Sequence, residues 1–317
     1  MTSNSYFDLD GFQAAKSRIA ATTRYTPLFK AESLYDNPIS KGTLSLKLEN
    51  LQPTGSFKVR GAMNTMGLLG EREKEKGLIT ASGGNHGLAV AYAAAIARVP
   101  ALIYLPSSTP DQKIQKLKSW GASTRVVGDV WDKANDAALV EAQKSRMTYI
   151  HPFADPRVIQ GQGTVALEIL DTDRNIDTLV VAVGGGGLIS GVAVAAKKIN
   201  PNIRIIGVEP TGAPTHSQSR KAGKVVTLST VNTRAGTLAP QRSEQLNFEL
   251  IQEYVDELVL VDDVSMQKAA EWLWFELGIA AELSSAAVIA ALSHDSILKS
   301  QSNICSIICG AGTDGII

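Results

Sequence analysis

The chain has 317 residues, 44% hydrophobic and 20% charged, with Lys+Arg and Asp+Glu both at 31. That is an ordinary globular composition, long enough for two lobes. The balanced charge gives no electrostatic case for a nucleic-acid or anionic-membrane partner.

Taken in chain order, the N-terminal Met-Thr-Ser-Asn-Ser-Tyr has no basic region followed by an apolar run, so it does not read as a signal peptide. Residues 10–20 predict an amphipathic helix. Residues 43–48 alternate and predict a strand. The stretch Thr54-Gly-Ser-Phe-Lys58-Val-Arg60-Gly61 leads into an Ala/Met/Leu helix ending near Gly70. Residues 71–76 are a charge run, expected as a solvated helix turn. A short strand at 78–81 is turned by Ser82-Gly-Gly-Asn-His-Gly87 into a helix over 88–98. A strand at 101–105, closed by Pro106 and Pro110, precedes a helix at 111–120, a strand at 123–127, a helix at 130–144 and a strand end at 149–152.

Gly161-Gln-Gly-Thr164 is expected to open a helix over 165–170. Residues 178–183 are fully apolar, as a central parallel strand is. Four glycines follow, then a helix at 188–198 and a strand at 203–208. Residues 210–245 read as polar and irregular, with one helix at 217–222. A helix at 249–255, a strand at 258–261, helices at 265–277 and 286–293 and a last strand at 304–309 complete the chain. The longest apolar runs, 89–97 and 280–292, fall short of the roughly 20 residues of a membrane span and read as buried helices. Alternating strand and helix mean a parallel α/β sheet with right-handed crossovers. With no repeat and no low-complexity linker, the two lobes must interleave.

Lys58 lies between a small polar loop and an apolar run, bracketed by glycines, with Arg60 as its nearby positive partner. A lysine in a tight apolar place loses solvation of its ammonium, so its pKa falls and it can form a Schiff base with a carbonyl cofactor. The other reading is a surface lysine with a packed stem and a solvated head. Gly184, Gly185, Gly186 and Gly187 sit between a buried strand and a helix, where successive N–H groups and the helix N-terminus make a phosphate cradle. A dinucleotide is one owner of that phosphate, since Glu209 ends the next strand about where a ribose-binding acid is expected, roughly 20 residues on. The G-x-G-x-x-G spacing fails, however, because its third place is Ser190. Ser82-Gly-Gly-Asn-His-Gly87 is a second helix-initiating turn and suits a carboxylate. His86, His151, His216 and His294 show no metal-ligand spacing. Cys305 and Cys309 lie in one segment, give no disulfide framework and read as core residues. A cytoplasmic location is the default expectation.

These stretches, with Val158-Ile-Gln-Gly-Gln-Gly-Thr164 and Cys309-Gly-Ala-Gly-Thr-Asp314, resemble the fold-type-II pyridoxal-phosphate family, nearest its threonine/serine dehydratase and serine racemase branch. The match runs over nearly the whole chain in the right order. The resemblance implies an α/β fold of two parallel or mixed open sheets flanked by helices, of the tryptophan-synthase-β type. It implies a large cofactor-binding domain over 1–75 and 153–317 and a small substrate-carboxylate domain over 76–152. The cofactor is pyridoxal 5'-phosphate. Lys58 would hold it as an internal aldimine and act as the base at Cα. Phe57 would pack beside the ring, Asn85 would hydrogen-bond the ring hydroxyl, Gly184 to Gly187 would bind the phosphate, and Cys309 would face the pyridine nitrogen. Ser82, Asn85 and His86 would receive the substrate carboxylate. A homodimer or homotetramer acting on a small amino acid is implied, with no nucleic acid and no membrane.

Departures from the family pattern sharpen the expectation. Racemases of this group place a serine acid/base where this chain has Gly83, and inverting Cα needs such groups on both faces. Elimination of water and ammonia from threonine or serine is therefore favoured over racemisation. A neutral ring nitrogen opposite Cys309 points the same way. The family's divalent-cation site keeps Glu209 and the carbonyl of Ala213 here but has Thr215 for its aspartate, so weak binding or none is expected. The turn often written Glu-Pro-Ser-Gly is Glu282-Leu-Ser-Ser285. No regulatory domain follows Gly315, which points away from the end-product-inhibited type. Larger or acidic β-hydroxy amino acids (3-hydroxyaspartate, phenylserine, a hydroxyectoine-derived substrate) need the same core chemistry, with Phe153 and the 230–240 loop as pocket-wall candidates. A nicotinamide oxidoreductase and a catalytically silent relative are the alternatives of other classes.

Overall fold

The computed structural model describes residues 6–294, 297 and 303–316. Two sheets organise them. The larger has β1 (Leu28–Lys30), β2 (Thr43–Lys47), β7 (Thr178–Ala182), β8 (Arg204–Pro210), β9 (Glu257–Val261) and β10 (Asn303–Ile307) in the order β1-β2-β10-β7-β8-β9. All its pairs are parallel except β1 with β2. The smaller is all parallel, β5-β4-β3-β6, from β3 (Leu78–Ala81), β4 (Ala101–Leu105), β5 (Ser123–Val126) and β6 (Thr148–Tyr149). The central strands β3, β4 and β7 are buried along their whole length, as parallel strands covered by helices on both faces must be. No described helix is long and apolar enough to cross a membrane.

Several elements differ from expectation for local reasons. β1 was not anticipated: three half-exposed or exposed residues at a sheet edge carry no alternation to read. Helix α7 runs over Pro156–Thr172, starting well before the expected 165. Asp155 caps it, accepting from the Arg157 N–H, and Pro156 takes its first turn. Gly161 and Gly163 therefore open nothing. They lie inside α7, where a Cβ on Gly161 would come within 2.6 Å of the Arg60 carbonyl and one on Gly163 within 2.2 Å of the Phe12 ring. They are contact glycines that let helices approach. Helix α4 begins at Asn85 (Asn85–Ala97), so Asn85 and His86 form its first turn.

Helix α2 (Lys58–Leu68) starts at the lysine itself and buries every residue from Val59 to Met66. It packs against both α4 and α7, so it stands at the seam of the two sheets. One of its buried residues is charged. The Arg60 guanidinium is fully buried and donates to Glu49 (2.7 and 2.8 Å) and to Glu168 (2.7 and 2.8 Å). Lys47 completes the group, donating to Glu168 and to the Thr26 carbonyl, each at 2.6 Å. Burial pushes the Glu49 carboxyl up, but Arg60 and Lys47 outweigh it and hold it below its usual range. Two cations and two anions thus tie β2, the turn Glu49–Leu51, α2 and α7 together. Arg60 is therefore not a partner for Lys58, as the sequence suggested; its charge is committed to carboxylates.

Breaking a buried pair leaves uncompensated charge, which costs about 3–5 kcal/mol. Arg60→Met should lower unfolding free energy by about that much in urea titration. Lys74→Met, which removes a surface pair with Glu71, should change it by less than about 1 kcal/mol.

Candidate active site

Lys58 is the first residue of α2, and the loop before it is pinned by the end of the last strand. Phe57 N–H donates to the Cys309 carbonyl at 3.0 Å, Ser56 bridges Gly310, and Ala311 N–H donates to the Gly55 carbonyl at 2.8 Å. The Lys58 Nζ donates to the Pro152 carbonyl at 2.8 Å and lies 5.1 Å from the centroid of the Phe57 ring. No carboxylate forms a salt bridge with it among the described residues. Burial lowers its pKa to about 8, with Cys309 and Glu282 pulling the other way. The N-terminal end of a helix also disfavours positive charge. The snorkelling alternative is thereby set aside: this is a half-buried amine of lowered pKa.

Cys309 follows β10. Its thiol lies 3.2 Å from the Ser285 hydroxyl, and burial pushes its pKa up to about 12, so it is neutral. Ser285 also bonds both sides of Gly310, accepting from its N–H at 2.7 Å and donating to its carbonyl at 2.8 Å. The Glu282-Leu-Ser-Ser285 turn thus acquires a role that sequence reasoning missed. Asn85 Nδ2 lies 3.0 Å from each Glu282 carboxyl oxygen, and burial raises the Glu282 pKa. Lys58, Asn85, Cys309 and Glu282 therefore form one cluster, drawn from four distant segments.

The 82–87 turn leads from β3 into α4. Ser82 Oγ accepts from the Gly84 N–H at 3.2 Å. His86 is buried, its Nε2 lies 2.9 Å from the Ile150 carbonyl, and burial lowers its pKa to about 3. Its neutral ring points into the protein, so what it can offer a carboxylate is its backbone N–H. The first-turn N–H groups of α4 have no intrahelical acceptor, which fits an anion. Gly83 carries no acid or base, yet a hydroxyl is close by. A Cβ there would lie 2.7 Å from Thr109 Cγ2 and 2.8 Å from Thr109 Oγ1. Only a structure could pair these two residues.

The glycine loop ends β7 and opens α8 (Gly187–Ile199), with Gly186 at φ 92° as N-cap. Phe153, a pocket-wall candidate, sits against this loop: a Cβ on Gly185 would be 2.3 Å from its ring. The 230–240 loop also touches it, with the Thr237 carbonyl 2.7 Å from a Cβ on Gly184. Glu209 is occupied as a helix cap, accepting from the His216 N–H (2.6 Å), the Ser217 N–H (2.8 Å) and the Ser217 hydroxyl (2.6 Å). The Ala213 carbonyl accepts from the Thr215 N–H at 3.0 Å. Glu209 and the Ala213 carbonyl, the weak cation candidates, are thus both hydrogen-bonded within the chain.

A low-pKa amine for an aldehyde, a neutral thiol, a helix N-terminus of four glycines and a second anion-binding turn fit pyridoxal phosphate. Comparison with known proteins agrees. Residues 19–310 match the family described as "Pyridoxal-phosphate dependent enzyme". The chain is similar to an L-threonine ammonia-lyase of Thermotoga maritima, 39% identical over 276 residues, covering 87% of this chain and 69% of that one. It is similar to a serine racemase of Oryza sativa, 37% identical over 313 residues, covering 97% and 91%. The structure of maize serine racemase superposes with a TM-score of 0.92 at 36% identity, covering 96% and 93%. The chain belongs to the pyridoxal-phosphate dependent enzymes, with the fold-type-II architecture.

Competitive amine labelling of the apoprotein should give Lys58 a midpoint near pH 8, against 10.5 for an ordinary lysine. Below that pH the amine is charged and unreactive. A midpoint at the ordinary value would mean that the cleft does not desolvate it.

Proposed function

We propose that the chain catalyses β-elimination from a β-hydroxy amino acid, L-threonine or L-serine first, giving a 2-oxo acid and ammonia. The observation that carries the reading is Lys58, a half-buried amine of pKa about 8 that forms no salt bridge among the described residues, beside a turn whose position 83 is glycine. Bound pyridoxal phosphate supplies an electron sink conjugated to the substrate's Cα. The Lys58 amine, uncharged at mildly alkaline pH, takes the Cα proton. Ser82 and the first-turn N–H groups of α4 orient the carboxylate. Asn85, Phe57 and Cys309 would meet the cofactor ring, and the N–H groups of Gly184 to Gly187 its phosphate. A neutral Cys309 brings no negative charge to the ring nitrogen.

Residues 76–152 are taken as the substrate-carboxylate domain, and 1–75 with 153–317 as the cofactor domain. A homodimer or homotetramer and a cytoplasmic location complete the proposal. A second reading, amino-acid racemisation, is favoured by the Thr109 hydroxyl, 2.8 Å from the Cβ position of residue 83.

Borohydride reduction of the cofactor-loaded protein followed by peptide mapping should place the adduct on Lys58. Lys58→Ala should abolish 2-oxo acid and ammonia release across a panel of β-hydroxy amino acids while leaving the circular dichroism spectrum unchanged. An adduct on any other lysine sinks the proposal. Gly83→Ser should destabilise by about 1–3 kcal/mol, because its Cβ overlaps Thr109. Adding Thr109→Ala should relieve that loss and raise the ratio of racemisation to elimination above that of either single variant, read by chiral chromatography. If Thr109→Ala alone abolishes racemisation in the native chain, the second reading takes precedence.

A further inference from the structure

His151 takes no part in the steps above, yet it lies between two anchored peptide groups of the site. The carbonyl before it, of Ile150, is 2.9 Å from His86 Nε2 in the 82–87 turn and accepts from the Thr80 hydroxyl at 2.9 Å. The carbonyl after it, of Pro152, accepts from Lys58 Nζ at 2.8 Å. The segment leaves β6, which pairs with β3, and the C-terminal end of β3 becomes that same turn. Ligands of parallel α/β sheets bind at the C-terminal ends of strands. His151 thus joins the turn that suits a carboxylate to the residue that holds the amine.

The ring is oriented by its own chain. Nδ1 accepts from the N–H groups of Phe153 (3.2 Å) and Ala154 (2.8 Å), and the ring meets Phe153 edge to face with centroids 4.6 Å apart. Two donors facing Nδ1 leave no place for a proton there, so the neutral ring carries its hydrogen on Nε2. Burial lowers the pKa to about 4, with Asp155 opposing and Lys58 reinforcing the shift, so the ring is neutral at physiological pH. Nε2 makes no hydrogen bond with a described residue, and in this half-buried side chain it is not sealed from solvent. Capping two N–H groups needs only the oxygen of an Asn, Asp or Ser side chain. What histidine adds is a donor on the opposite edge of the ring, directed away from the backbone it caps.

We propose that His151 is a specificity-determining residue of the site, donating its Nε2–H to the β-oxygen of the substrate. This rests on the reading of the chain as an enzyme of β-hydroxy amino acids. In that reading the carboxylate goes to the start of α4 and the amino group to the cofactor aldehyde, so the hydroxyl is the polar group of serine or threonine still to be met. A neutral donor suits a hydroxyl, whereas the second carboxylate of 3-hydroxyaspartate calls for a cation. The ring holds the hydroxyl in place and exchanges no proton with it.

The test uses the full-length chain loaded with pyridoxal phosphate. Dissociation constants for L-serine and for L-alanine, which lacks the hydroxyl, are read from the change in cofactor absorbance within the first turnover. His151→Asn keeps an acceptor for the Phe153 and Ala154 N–H groups but does not reach the Nε2 position. It should weaken L-serine about tenfold, the loss of one hydrogen bond, and leave L-alanine within about twofold. His151→Gln, whose amide reaches the Nε2 position, should recover part of the serine affinity. Because the two amino acids are compared within each variant, a general loosening of the fold cancels; should the Asn variant not fold, His151→Phe, which keeps a ring against Phe153, carries the same expectation. Equal weakening of both amino acids would make His151 a turn cap alone and overturn the proposal, as would unchanged affinity for L-serine. A wild-type protein that binds both amino acids but releases no 2-oxo acid from L-serine overturns the lyase reading alone, and the paired dissociation constants still decide whether His151 holds the hydroxyl.

Discussion

The position of Lys58 depends on a charge cluster two residues further along its helix. Arg60, Glu49, Glu168 and Lys47 are buried as a set and neutral as a set. Removing four ions from water costs several kcal/mol each, and their mutual attraction offsets this only when the geometry is good. Such a cluster is therefore a weak source of net stability but a strong constraint on arrangement. Sliding α2 by one turn along α7 would strand two carboxylates and two cations at once. The helix that starts at Lys58 thus has one seat, between β2 and α7, and the amine at its first residue inherits that seat.

A second constraint fixes what the amine faces. The loop over residues 54–57 is bonded through its backbone to residues 309–311, at the end of β10. Ser285 then clasps Gly310 from the other side. Lys58 near the start of the chain and Cys309 near its end are held in register by peptide groups, whose positions do not depend on side-chain rotamers. The cleft chemistry is set on rigid elements, and only the side chains of Asn85 and Glu282 complete it from the opposite direction.

Much of the fold was legible because its signals were local. Apolar runs such as 178–183, and turns that open helices, announce a parallel α/β chain, and the four glycines announce a phosphate, while the cofactor's identity came with the family resemblance that the motifs carry together. The failures share a cause: partners distant in sequence. Gly161 and Gly163 looked like a turn because glycine usually marks one, whereas here it marks a helix crossing. The Asp155-Pro156 pair carried the true start signal. Arg60 looked like a neighbour of Lys58 because it is two residues away, but a side chain near the start of a helix can point elsewhere. Glu282, Ser285 and Thr109 carried no motif, and their relevance is a matter of what lies across the cleft. Glu209 shows the converse: a residue in the right place for two kinds of ligand, it accepts three hydrogen bonds from the helix beside it.

The site is also poor in net charge, which bears on how it holds an anionic cofactor. Burial favours the uncharged form of Cys309, His86, His216 and Glu282 and brings Lys58 close to neutrality. Arg60, two residues along the helix from Lys58, is already matched to carboxylates. In the proposed reading, a dianionic phosphate and an amino-acid carboxylate would be met by N–H groups at the starts of α8 and α4. Helix N-termini do this without bringing a mobile counter-charge to the reacting atoms. In surroundings of low polarity the fields of those two termini act undiminished. They favour binding of both anions, and they leave the lysine between them as the group whose proton can move.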